Sequence, residues 1–130
     1  MIDVKIKTLI EILILSVVFT LVDSVYLTSV GPFFNSVVKG IQREPIKLNV
    51  AATILCYISL LFGLYYFIIR EKRSYIEAGI LGMVIYSVYE FTNKAIFINW
   101  TWSAVVTDIL WGGILFGLST YLVYKIYGIM

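Results

Sequence analysis

Residues 48–69 read LNVAATILCYISLLFGLYYFII, and residues 70–73 immediately after them read REKR. The first stretch holds 22 residues without one charge, and the second is four charges in a row. A helix of about 20 apolar residues, rising 1.5 Å per residue, crosses the roughly 30 Å hydrocarbon core of a bilayer. A membrane strand needs only about 9–11 residues, with every second one polar. No such alternation is present. The stretch predicts a transmembrane helix ending at a charged turn.

Three more segments of the same kind follow from working outward in both directions. One runs from about Ile6 to Val30, one from Tyr75 to Ile98 and one from Thr101 to Tyr127, beside Leu48–Ile69. Polar punctuation separates them: Gly31 to Lys47, the Arg70–Arg73 run, and the short turn Ile98–Thr101. Both prolines, Pro32 and Pro45, fall in the first of these breaks, so the expectation is four spans free of proline kinks. Within that break Phe33, Phe34, Val37, Val38 and Ile41 share one helical face, which predicts a separate amphipathic helix over about 33–42. Such a helix lies in the headgroup region or lids the bundle.

Composition supports a membrane protein throughout. Hydrophobic residues make up 61% of the 130 and charged residues 14%, against about 45–50% and about 25% in soluble domains. The fold class expected is all-α: a single polytopic unit over 1–130, with four transmembrane helices. Lys5 and Lys7 resemble the start of a signal peptide, but the apolar run is too long for one, and the first span is read as retained. Lys5, Lys7, Arg70, Lys72, Arg73 and Lys125 gather on one side, with Lys39, Arg43 and Lys47 on the other. The positive-inside rule then places both termini on the cytoplasmic or equivalent inner side.

Several functions are excluded at this level. The chain contains no histidine and one cysteine, so neither a serine–histidine triad nor a metal motif is available. No cofactor signature appears, and a net charge of +2 without a basic cluster gives no nucleic-acid surface. Cys56 reads as a small buried hydrophobe. Gly113 and Gly117 give α-helical small-residue spacing for close packing inside the bundle, with a second copy of the chain as the alternative partner.

Polar residues inside the spans are the informative exceptions. Asp23 falls late in the first span, Glu90, Asn93 and Lys94 late in the third, and Asp108 early in the fourth. Because the fourth span runs back against the first and third, Asp23, Glu90 and Asp108 come to one membrane half, roughly 10 Å below the interface at 1.5 Å per residue. An ionisable residue at depth costs roughly 2.5–3.5 kcal/mol, so such residues face the bundle interior or water. Glu90 and Lys94 stand four apart in the order that favours a pair. Asp23 and Asp108 have no basic partner in view. They are therefore protonated, solvated, hydrogen-bonded to aromatics, or sharing a bound cation or proton. Tyr26 stands three residues after Asp23, and Trp111 three after Asp108, so each aromatic shares its acid's helix face and can donate to it. Tyr86 and Tyr89 precede Glu90. Trp100 and Trp102 suit an interfacial aromatic belt.

The motifs LVDSVYL (21–27), YEFTNKA (89–95) followed by Trp100, and VVTDILWGG (105–113), with Pro45, Ala51, Ala52 and Tyr57 around the second span, resemble a known family. It is the family of predicted membrane proteins called domain of unknown function 2177. The resemblance covers nearly the whole chain and implies a four-helix membrane protein with no assigned activity. It places Asp23, Tyr26, Tyr89, Thr92, Asn93, Asp108, Trp111 and Gly112 at motif positions. Glu90 departs from the family's usual Asp, and Thr101 from its common proline.

The binding residues expected are therefore Asp23, Tyr26, Tyr89, Glu90, Thr92, Asn93, Lys94, Asp108 and Trp111. Three functions fit them: a site that binds or conducts a proton, cation or small polar solute; a structural or assembly protein of a cell or virion membrane; and a lipid-modifying enzyme working without histidine or metal. The first ranks ahead and an enzyme behind. The partners expected are membrane lipids and a small ligand of unknown identity.

Overall fold

The computed structural model describes residues 3–128, leaving the two residues at each end of the 1–130 unit outside the description. The fold is all-helical: α1 (Val4–Gln42), α2 (Val50–Leu64, continued by a π-helical turn Tyr65–Ile69), α3 (Tyr75–Ile96) and α4 (Trp102–Tyr127). α1, α2 with its extension, and α4 are long and apolar enough to cross a membrane. α3 is less so, because its 22 residues carry Glu77, Glu90 and Lys94.

Each helix starts where a short polar side chain can accept an orphan backbone N–H. Asn49 caps α2 through Ala52 N at 3.0 Å, and Thr101 caps α4 through Ala104 N at 3.1 Å. Ser74 and Glu77 close a reciprocal capping box on α3. α1 ends on Arg43, in the left-handed region at φ 64°.

The first break expected from the sequence is not where the chain breaks. α1 passes through Gly31 and Pro32 without interruption and runs 39 residues, about 58 Å at 1.5 Å per residue. Proline removes the N–H that would bond the Thr28 carbonyl, and its ring crowds the residue before it. That residue is Gly31, whose missing Cβ relieves much of the crowding. The turns beyond Pro32 are held helical by packing on the opposite elements, which offsets the one lost bond. The separate helix over 33–42 is thus the outer end of α1. Its amphipathic face is genuine but is spent inside the molecule: Phe34, Val37, Val38 and Ile41 pack on Trp100, Ala104, Val105 and Ile109.

α3 and α4 form the tight half of the bundle. A Cβ on Gly82 would stand 2.1 Å from the Gly112 carbonyl oxygen, and one on Gly117 3.2 Å from the Tyr75 carbonyl. Gly113 likewise faces Met83. The small-residue face of α4 is therefore taken up by α3 of the same chain. α1 lies along α4, whereas α2 touches α1 sparingly and hardly packs on α3. α2 is held at its far end by Leu64 and by Ile68 and Ile69 of the extension, all buried in the core, and also by polar bonds: Tyr57 donates to Asp23, Tyr65 to Glu11 at 3.4 Å, and Tyr124 to the Arg73 carbonyl just beyond its end at 2.6 Å. The larger apolar core, with Leu15, Phe19, Leu64, Leu115 and Phe116, fills the half nearer the termini. The cluster around Trp100 fills the opposite end.

Candidate functional site

Between these two apolar clusters lies a polar layer. Asp23 (α1), Glu90 (α3) and Asp108 (α4) are all buried, at 6%, 0% and 8% exposure. The antiparallel run of α4 against α1 brings Asp23 and Asp108 to one level, as their positions in the spans imply.

The aromatic donors are exchanged between helices. Tyr26, expected to serve Asp23 on its own helix, donates instead to Asp108 Oδ1 at 3.0 Å. Trp111, expected to serve Asp108, donates to Asp23 Oδ1 at 2.9 Å. The two rings stack on each other, with centroids 4.5 Å apart and planes 2° from parallel. The i, i+3 spacing does put acid and aromatic on one face. That face points at the other helix, where side chains reach the neighbour's carboxylate more directly than their own. A phenol from α2, Tyr57, completes Asp23 by donating to Oδ2.

Glu90 is served from elsewhere. Trp100, in the turn before α4, donates its indole N–H to Oε1 at 2.8 Å. Glu90 stands beside Asp108, and its Oε2 is buried without a donor. The pair expected between Glu90 and Lys94 does not form. Lys94 Nζ turns outward to the Trp100 carbonyl at 2.7 Å and lies over the Trp102 ring at 5.4 Å. Extending toward the interface keeps the ammonium nearer water, where it is cheaper to hold charged. Trp100 itself is 5% exposed and is a working donor, while Trp102, at 61%, suits the aromatic belt. The ion pairs among the described residues, Lys47–Glu44, Arg70–Glu71 and Arg73–Glu77, all lie in exposed turns. None reaches the polar layer.

Asp23, Tyr26, Tyr86, Tyr89 and Asp108 line a cavity of about 340 Å³, with Cys56 at its edge. Cys56 is therefore exposed rather than a buried hydrophobe. Shallow grooves of about 610 and 620 Å³ lie between the extension of α2 and the first half of α3, and along α3, but neither holds a buried polar side chain. Gly112 explains part of the cavity's shape. A Cβ there would meet the Tyr86 ring at 2.5 Å, so the bare backbone is the seat on which that tyrosine rests.

A family model described as predicted membrane protein (DUF2177) matches residues 8–125. The chain belongs to that family. No curated protein and no solved structure matches it. The DUF2177 residues expected from the motifs do not all meet. Asp23, Tyr26, Asp108 and Trp111 form the centre of the layer, Tyr89 the cavity lip, and Gly112 the Tyr86 seat. Thr92 faces the outer groove on α3, Asn93 is half-buried with its carbonyl capping the helix at Phe97, and Lys94 serves Trp100. Tyr57 and Trp100 were not among the expected site residues. A tyrosine in mid-span was the available signal for Tyr57; nothing local distinguishes Trp100 from a belt residue.

Proposed function

We propose that the protein binds a small cationic or polar solute within the membrane, at the layer formed by Asp23 and Asp108. The observation that carries this reading is that two carboxylates, each more than nine-tenths buried, meet at one cavity with no lysine or arginine beside them among the described residues. At roughly 2.5–3.5 kcal/mol for each ionisable group at depth, such an arrangement is expensive unless something compensates it. Binding is favoured over conduction because apolar clusters lie on both sides of the layer along the bundle axis. We also read all four helices as spanning, with both termini on the inner side where lysine and arginine are in excess.

A second reading has its own support. Tyr26, Tyr57 and Trp111 each donate to a carboxylate on another helix, which is what polar glue between helices requires. Thermal unfolding of the purified protein, scanned over pH, cations and lipids beside Asp108→Asn, separates the two. A ligand or pH step that stabilises the wild type and not a folded Asp108→Asn protein supports binding. A wild type that responds to nothing, with a variant melting far earlier, overturns binding in favour of glue.

A further inference from the structure

We propose that the ligand is an amphiphile with an ammonium head, admitted sideways from the bilayer between α2 and α3; this rests on the binding function proposed above. The route follows from what is closed and what is open. Along the bundle axis the polar layer is covered by the Phe19–Phe116 core on one side and the Val37–Trp100–Val105 cluster on the other. Laterally, α2 and α3 scarcely pack on each other. The cavity lies in that seam, and its lip is formed by Leu27 at 53% exposure, Tyr89 at 57% and the exposed Cys56. At this depth an exposed leucine faces acyl chains, so a molecule passing the lip comes from the lipid.

The head group is specified by the floor. Asp23 and Asp108 line the cavity with buried carboxyl groups, Glu90 lies buried behind them beside Asp108, and Lys94 is committed to the Trp100 carbonyl. An ammonium brings positive charge and N–H donors together, and charge-assisted hydrogen bonds to carboxylates are the strong ones. The acids do not converge tightly enough to form a metal's ligand set among the described residues. Asp23 and Asp108 flank a space of about 340 Å³, which suits a bulkier organic cation. An anionic head is repelled. The apolar body then rests on Leu27, Leu60 and Ile85, which line the same cavity.

The chain's one cysteine supplies the test, because Cys56 lines this cavity. The full-length protein in a mild neutral detergent is alkylated with N-ethylmaleimide, with and without dodecylamine. Dodecanol, dodecyl sulfate and ethylamine serve as comparisons. Dodecylamine is expected to slow Cys56 modification about fivefold at about four times its dissociation constant. Dodecanol and dodecyl sulfate should not, and ethylamine should need a far higher concentration. The protection should vanish in Asp108→Asn and shrink in Leu27→Trp, which narrows an exposed lip and leaves the carboxylates untouched. Equal protection by dodecanol, or undiminished protection in both variants, overturns the proposal. If ethylamine or an inorganic cation raises the melting temperature while dodecylamine leaves Cys56 unprotected, the binding function stands and the amphiphile falls. If no cation of any kind changes either readout, both fall together.

Discussion

Gly82 is the point at which the α3–α4 packing is most exposed to a single-residue test. The added methyl of Gly82→Ala would lie 2.1 Å from the Gly112 carbonyl oxygen and 2.8 Å from two Phe116 atoms. Real Cβ atoms essentially never come under 3.0 Å, so the oxygen contact alone is 0.9 Å too close. Neither obstacle yields easily, since one is backbone inside a helix and the other a phenylalanine with no exposed surface. Overpacking of this kind costs about 1–3 kcal/mol, here at the upper end, and alanine's better helix propensity returns at most about 1 kcal/mol. The expected net loss is about 2 kcal/mol, roughly thirtyfold in the folding equilibrium. Reversible unfolding in mixed detergent micelles measures it, with Gly63→Ala as the internal control. Gly63 has nothing within 4 Å of its added Cβ, so that change should be neutral or stabilising. Wild-type stability in Gly82→Ala would refute the helix contact itself.

Trp100→Phe removes the indole donor to buried Glu90 and should destabilise by about 1.5–3 kcal/mol. Adding Glu90→Gln should recover part of that loss, and the same unfolding assay reads both. Tyr57→Phe leaves Asp23 its Trp111 bond but cuts the first of the three polar tethers along α2, so a loss of about 1.5–3 kcal/mol is expected. Faster hydrogen exchange confined to α2 is the signature that separates this from a general loosening. Pro32→Ala restores a donor for the Thr28 carbonyl and should stabilise by up to about 3 kcal/mol, and a lower melting temperature would show that α1 depends on the proline.

The parts of the fold legible beforehand are those set by local hydropathy. α2, α3 and α4 begin within two residues of where their apolar runs begin. The level shared by Asp23 and Asp108 was also legible, because it needs only helix direction and rise. Two things were not. Gly31–Pro32 reads as a stop from local chemistry alone, whereas the turns beyond it are held helical by long-range packing on Trp100, Ala104 and Val105. The partner of each aromatic depends on helix rotation, which hydropathy does not contain. Own-helix bonds for Tyr26 and Trp111 therefore looked as good as crossed ones, and the i, i+4 spacing of Glu90 and Lys94 looked like a pair.

In a membrane, helices gain little from hiding apolar surface from one another, since lipid is as apolar as they are. This chain uses two other means of association and keeps them apart. α3 and α4 close through glycine, where backbones approach and nothing polar is required. α1 is joined to α4, and α2 to α1, through carboxylates accepting from phenols and an indole. The cavity lies where the second means operates, and the two are physically linked. A phenol that fastens α2 and a ligand that seeks Asp23 draw on the same lone pairs. Occupation of the proposed site would therefore act on α2, while the glycine-packed pair would stay as the fixed wall. The acids need not be either glue or receptor: an acceptor shared between a helix and a ligand is the arrangement by which binding would register as a change in how firmly α2 is held.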